Sequence, residues 1–353
     1  MTAPLPEEAL ERAARAAFGS ATRVTRVDLL AGDASSRRYA RLRLAGTGAP
    51  TTVVAMILGT DTAPLGSDEI TGDLTPTELP FVNVARWLAR EGFPVPAIHH
   101  VGARLLLLED VGDTTLWAAA AASPARTAEL FGAAIDLLVR LQVAGTRHPD
   151  ADCYAFAQRF EDRLARWEVD HFVEHGIETR HGRALPAAAR TAILDALEPL
   201  TVPFAAPAPV FTHRDFMAWN LHMRDGQLCV IDFQDALLGP DAYDLAALLT
   251  DRTTATLVDG ALEAELLARF VRGRAAAGLP VPPGLEGRYR ACALHRALKV
   301  IGRFYYLERV LGKPGYLAYL PAVYAVGRRM FDAQPGLAAV RARIVPLVPE
   351  LAA

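Results

Sequence analysis

The sequence predicts an α+β protein of two lobes, in which a small antiparallel sheet near the N-terminus leads into a larger, mainly helical C-terminal part. Three observations carry that expectation. Strand-like segments rich in β-branched residues are concentrated between Arg23 and Ile57. Beyond Thr114 the apolar residues recur mostly at helical spacing. That helical stretch is broken by one β-rich island, from Pro209 to Asp235. At 353 residues the chain exceeds the usual size of one compact domain. The expected division is a lobe over 1–109, a hinge at 110–113 and a second lobe over 114–353.

Taken in order, Val24 to Leu30, the segment RRYARLRL and Thr51 to Ile57 read as strands, with the turn-rich GDASS between the first two. The connection from Gly59 to Pro80 is rich in Thr, Asp, Gly and Pro, and its role stays open. Pro80 then opens a helix in which Phe81, Val84, Ala85 and Leu88 share a face, and Gly92 closes it. The apolar strand RLLLLED leads into the hinge. In the later island, the strand LCVID stays apolar until it meets Asp232, an acid placed at the end of a buried strand.

Composition excludes several classes. Hydrophobic residues make up 52% and charged residues 22%, a globular balance. A net charge of −3 argues against a general nucleic-acid binder. The N-terminal segment carries acids where a signal peptide needs basic residues, and no run approaches the roughly 20 apolar residues that span a bilayer. Cys153, Cys229 and Cys292 are odd in number and far apart, which suggests neither a disulfide framework nor a zinc site. A monomeric cytoplasmic protein with no membrane or nucleic-acid partner is expected.

His213-Arg214-Asp215-Phe216-Met217-Ala218-Trp219-Asn220 fits the kinase catalytic-loop pattern H-R-D-x-x-x-x-N, and Asp232-Phe233 follows on the next strand. Such a loop presents a carboxylate to an incoming hydroxyl, while the amide five residues on turns toward a metal held by the strand's aspartate. Asp215 is therefore the expected acid–base and aiming residue, with Asn220 and Asp232 as Mg²⁺ ligands. His213 reads as a buried hydrogen-bonding support. Neither G-x-x-x-x-G-K-[ST] nor G-x-G-x-x-G occurs, so the P-loop and dinucleotide-fold solutions for phosphate are absent.

These residues resemble the aminoglycoside-phosphotransferase-like kinases of protein-kinase-like fold. Within them, they are similar to the anomeric sugar kinases that act on N-acetylmuramate and N-acetylglucosamine in peptidoglycan recycling. The segments that carry the likeness are GDASSRRY, PFVNVARWL, LLLEDVGD, THRDFMAWNL, VIDFQDALLGPDAYDLAALLTD and LHRALKVIGRF. The resemblance implies ATP and Mg²⁺ as cofactors and a small sugar as partner. It also implies nucleotide contacts at Asp33, Ser35, Arg38, Glu109 and Val111, a supporting acid at Asp244, and Asp235 on the substrate side.

One departure matters. The strand VVAMIL has Met56 where most kinases carry a lysine that pairs the nucleotide phosphates. Arg38 is the expected substitute cation, although alternation puts it on the strand face of Ala40, Leu42 and Leu44. No A-P-E segment follows Asp232, so protein substrates are not expected.

For the acceptor, Arg296, Lys299 and Arg303 form one basic stripe of a helix, which would favour a carboxylate-bearing sugar. A solvated helix face is the plainer alternative. The acidic helix with Glu168 and His171, both candidate sugar contacts, would instead favour a cationic substrate such as an aminoglycoside. A nucleotide-binding pseudokinase, suggested by Met56, stands as the reading from another class.

Overall fold

The computed structural model describes residues 7–30, 37–58, 77–205 and 208–352. Five strands form one antiparallel sheet: β1 (Arg23–Leu29), β2 (Arg38–Ala45), β3 (Thr52–Ile57), β4 (Ile98–Val101) and β5 (Leu105–Glu109). They lie in the order β1-β2-β3-β5-β4, and Tyr39 of β2 stands opposite Met56 of β3. Strand alternation gives the sheet two different faces. Ala40, Leu42 and Leu44 pack with Leu10, Ala13 and Ala14 of the amphipathic helix Glu7–Phe18. On the other face Met56, Leu106 and Leu108 join the main core with Val84, Trp87 and Leu88 of the helix Pro80–Arg90. The sequence pattern foresees the strands of this sheet except β4, whose four residues IHHV are too short and too polar to show a period.

The sheet is tied to the larger part at several points. Arg41 of β2 reaches Asp110 and Asp113 in the following link, each at 2.7 Å. Phe233, the residue after Asp232, stacks on Phe81 of the helix Pro80–Arg90 with ring centroids 4.8 Å apart. The backbone N–H of Val230 donates to Pro94 at 2.8 Å. The chemistry-bearing segment is therefore anchored on both lobes.

Past Ala122 the chain is mainly helical, with Thr127–Arg147 and Leu285–Tyr305 the longest helices at 21 residues each. The β-rich island supplies two small antiparallel pairs. Strands β6 (Val210–Thr212) and β9 (Leu237–Gly239) form one, and β7 (Leu221–Arg224) with β8 (Gln227–Val230) forms the other. The β7–β8 turn is Asp225-Gly226, both at positive φ (50° and 79°), the conformation a two-residue hairpin needs. The catalytic-loop motif lies between β6 and β7, and Asp232 lies between β8 and β9.

The helix Asp162–His171 continues as a π-helical segment, Phe172–Thr179, against the C-terminal part of Leu285–Tyr305. Gly302 makes this approach possible. A Cβ there would stand 2.8 Å from the Phe172 Cα and 2.9 Å from the His171 carbonyl oxygen, both backbone atoms that cannot step aside. Gly302→Ala gains helix propensity but forces the two helices apart, so a net destabilisation of about 1–3 kcal/mol is expected. Urea unfolding measures it, and an unchanged midpoint would show that this contact is loose.

Candidate active site

The loop is shaped by one buried acid. Asp244, 1% exposed near the start of the helix Tyr243–Thr250, accepts the backbone N–H of His213 at 2.6 Å and of Arg214 at 2.9 Å. Arg214 sits at φ 73°, a left-handed conformation that costs a non-glycine residue about 1–2 kcal/mol, and the two amide bonds hold it there. Burial pushes the Asp244 carboxyl up to about 6, while the two amide bonds oppose that rise.

His213 extends the clamp. Its Nε2 lies 3.0 Å from the Ile231 carbonyl oxygen, which can only accept, so Nε2 carries the proton. Nδ1 then accepts the Asp215 N–H at 3.3 Å. Burial holds this imidazole below its ordinary pKa, which keeps the neutral form that the two bonds require. One neutral ring thus fixes the backbone of Asp215 relative to the residue before Asp232.

Three functional side chains meet at this point. Asn220 donates from Nδ2 to the Asp215 carbonyl at 2.8 Å and lies 3.5 Å from Asp232 Oδ2. Gln234 donates to Asp232 Oδ1 at 2.9 Å and to Asp235 Oδ2 at 3.3 Å. Asp232, like Arg214, is held at positive φ, 64°. Burial first, then the charges of Asp215 and Asp235, push its carboxyl up to about 6. A carboxylate so placed gains from a cation. With the Asn220 amide nitrogen already engaged, its Oδ1 and the Asp232 carboxylate remain as hard oxygen donors. Among the described residues no cluster of three or more His, Cys, Asp or Glu could hold a metal. The pair nonetheless fits Mg²⁺, which takes one or two protein oxygens and fills its octahedron with water and phosphate.

Asp215 differs from Asp232. Its side chain is 39% exposed, and burial of the remainder favours the acid form. The positive charges of Arg296, Lys299 and Arg214 outweigh that and hold the carboxyl below its ordinary range. The result is an ionised, partly open carboxylate beside a metal-suited oxygen pair.

The cations come from beneath, and this alters the expected substrate contacts. Arg296 is 8% exposed, donates to the Arg214 carbonyl at 2.7 Å, lies 3.7 Å from Asp215 Oδ1, and spreads over the Tyr243 ring. Glu168 is fully buried, paired with Lys299 and with Arg214 at 3.0 Å, and has His295 at 3.6 Å. Both residues are interior supports of Asp215, placed there by close helix packing, rather than surfaces a sugar would touch. Lys299 and Arg303 are half-buried, and Arg303 lies over Tyr306. His171 stacks on Trp167, itself 42% exposed, and meets the Tyr306 ring edge-on. The amphipathic pattern of the basic stripe could not reveal that Arg296 and Lys299 answer acids across the core.

On the sheet side, alternation puts Arg38 on the face of Ala40, Leu42 and Leu44, and its strand partner Ile57 packs with those residues. Met56 is 1% exposed within the main core. Glu109 is engaged through its carboxylate by Arg224 at 2.7 Å and by the Ala97 N–H at 3.0 Å, which makes it a brace between β5 and β7. Val111 is half-buried in the link, while Asp33 and Ser35 lie outside the described residues. Gln234 is a site residue without a sequence signal, since nothing marks a glutamine that orients two acids.

Replacing Glu168 with Gln leaves Lys299, Arg214 and His295 facing a neutral amide in a dry interior. Removing one partner of a buried ion cluster typically costs about 3–5 kcal/mol. Denaturant unfolding of Glu168→Gln is expected to show a loss of that order, and a loss under about 1 kcal/mol would mean that water already screens the cluster.

Comparisons with known proteins agree with this geometry. A model of the phosphotransferase enzyme family matches residues 27–280. The N-acetylmuramate/N-acetylglucosamine kinase of Neisseria meningitidis serogroup B is 32% identical over 261 residues, covering 72% of this chain and 75% of its own. The kinase of the same name from Caulobacter vibrioides is 31% identical and covers 96% of both chains. Among solved structures, the ADP-bound aminoglycoside phosphotransferase APH(2'')-Ib superposes with a TM-score of 0.59 at 15% identity, covering 93% of this chain and 99% of that one. The fold is the bilobal protein-kinase-like one, and the chain belongs to the phosphotransferase enzyme family, whose members transfer phosphate to an alcohol group.

Proposed function

We propose that the protein transfers the γ-phosphoryl group of ATP to the anomeric hydroxyl of an N-acetylated amino sugar, N-acetylmuramate or N-acetylglucosamine, in peptidoglycan recycling. The observation that carries this reading is the ionised, partly exposed carboxylate of Asp215 next to the Asn220–Asp232 oxygen pair. The likeness to curated kinases of that name adds the substrate class.

In this reading Asp215 accepts a hydrogen bond from the sugar hydroxyl and aims it in line with the γ-phosphate. The transition state is loose, so aiming counts for more than full deprotonation, and an anomeric hydroxyl is more acidic than an ordinary alcohol. Asn220 and Asp232 would hold Mg²⁺, which would supply positive charge against the phosphate oxygens. Arg296, Lys299 and Arg214 keep Asp215 ionised and oriented from below. Arg303 and His171 remain the candidate sugar contacts, and a basic acceptor side would favour a sugar carboxylate over a polycationic aminoglycoside. The three cysteines are buried free thiols, and no described helix is long and apolar enough to cross a membrane.

Coupled ADP release with N-acetylmuramate, N-acetylglucosamine and one aminoglycoside tests the assignment. Turnover is expected with the acetylated sugars. In Asp215→Asn, kcat is expected to fall by about 10²- to 10⁴-fold, with ATP binding retained. Silence of the parent protein on all three compounds, with nucleotide and Mg²⁺ saturating, would instead favour a nucleotide-binding pseudokinase.

A further inference from the structure

Met56 leaves the sheet without the strand lysine that protein-kinase-like sites place against the nucleotide phosphates. Because Met56 is 1% exposed in the core, no movement of that side chain alone restores a charge there. A neighbouring strand position on the same face lies nearest to the place such a cation would fill.

The register identifies that position. Tyr39 stands directly opposite Met56 and packs against the same core, so the odd-numbered residues of β2 share the face that looks toward the larger lobe. Arg41, two residues along, reaches Asp110 and Asp113 in the inter-lobe link. Arg37, two residues the other way, continues this row past the strand's start. The even-numbered residues Ala40, Leu42 and Leu44 are packed under the N-terminal helix, and Arg38 lies with them.

We infer that Arg37 supplies the positive charge that meets the phosphates of the bound nucleotide, in place of the absent strand lysine. This rests on the kinase reading above and deepens it.

The electrostatics agree with the register. Burial raises the Tyr39 phenol, and Arg37 opposes that rise both by its charge and by a hydrogen bond. The charges of Asp232 and Asp235 reach the same phenol from the other lobe. Arg37 therefore stands beside a phenol that Asp232 and Asp235 approach from the other lobe. A guanidinium suits the task from the end of β2, because its planar fork can hold two phosphate oxygens at once while its reach exceeds that of a lysine from the same point.

Isothermal titration with MgATP and with adenosine separates phosphate recognition from base recognition. Arg37→Ala is expected to weaken MgATP binding by about 10- to 100-fold, the range for a lost charged hydrogen bond, and to leave adenosine unchanged. Arg37→Lys is expected to recover part of the loss, and Arg38→Ala to bind MgATP like the parent. Arg37→Gln, which keeps a donor for Tyr39 without the charge, repeats the test should the alanine variant fold poorly. Parent-like MgATP binding in both Arg37→Ala and Arg37→Gln, or a loss confined to Arg38→Ala, would overturn the inference. A parent protein that binds adenosine and MgATP equally would overturn it too, whereas a parent that binds neither would overturn the kinase reading itself.

Discussion

The site depends on the carboxylate of Asp244. Two consecutive backbone amides, from His213 and Arg214, point at this one buried acid, which satisfies both donors in a dry place. The left-handed turn at Arg214 follows from it, and so does the direction in which Asp215 leaves the loop. His213 then converts a local turn into a long-range constraint by binding the Ile231 carbonyl, one residue before Asp232. The acid–base residue and the metal-suited acid are held at a fixed separation by backbone and imidazole, while their own carboxylates stay available for chemistry.

A second constraint is electrostatic. Asp215, Asp232 and Asp235 converge in a partly buried space, where like charges push at least one of them toward the protonated state. The protein sorts them with cations drawn from different directions. Arg296 and Lys299, one turn apart on the helix Leu285–Tyr305, act on Asp215, and Arg37 from the sheet acts on Asp232. Asp215 is left ionised below neutrality, and Asp232 is left with a carboxyl near 6 that a metal ion would lower. The cost of burying this helix's charges is offset by Glu168, which takes Lys299 and Arg214 together. The close approach at Gly302 is what brings Glu168's helix near enough to do so.

How much of this could be read from the chain depended on whether the signal was local. The strands around Arg37 to Ile57 and the helix opened by Pro80 are written in short-range periodicity and punctuation, and the structure follows them. The spacing of Asp215, Asn220 and Asp232 is likewise local, because a loop and one hairpin join them. By contrast, the partners of Arg296 and Lys299 lie more than eighty residues away, and a basic stripe has the same appearance in sequence whether it faces water or a buried acid. Arg38 was the cation expected to replace the lysine missing at Met56. Alternation already placed it on the face of Leu42, but only the packing of the N-terminal helix shows which face looks away from the site. Gln234 and β4 had no periodic or compositional mark at all.

The account stands on a phosphoryl group arriving at the anomeric oxygen of an acetylated amino sugar, and the position of that bond can be read directly. Phosphorus-31 NMR of the product formed by the protein from MgATP and N-acetylmuramate is predicted to show a sugar phosphate whose phosphorus couples to the anomeric proton. Coupling to a proton elsewhere on the ring, or a spectrum containing only ADP and inorganic phosphate, would contradict it.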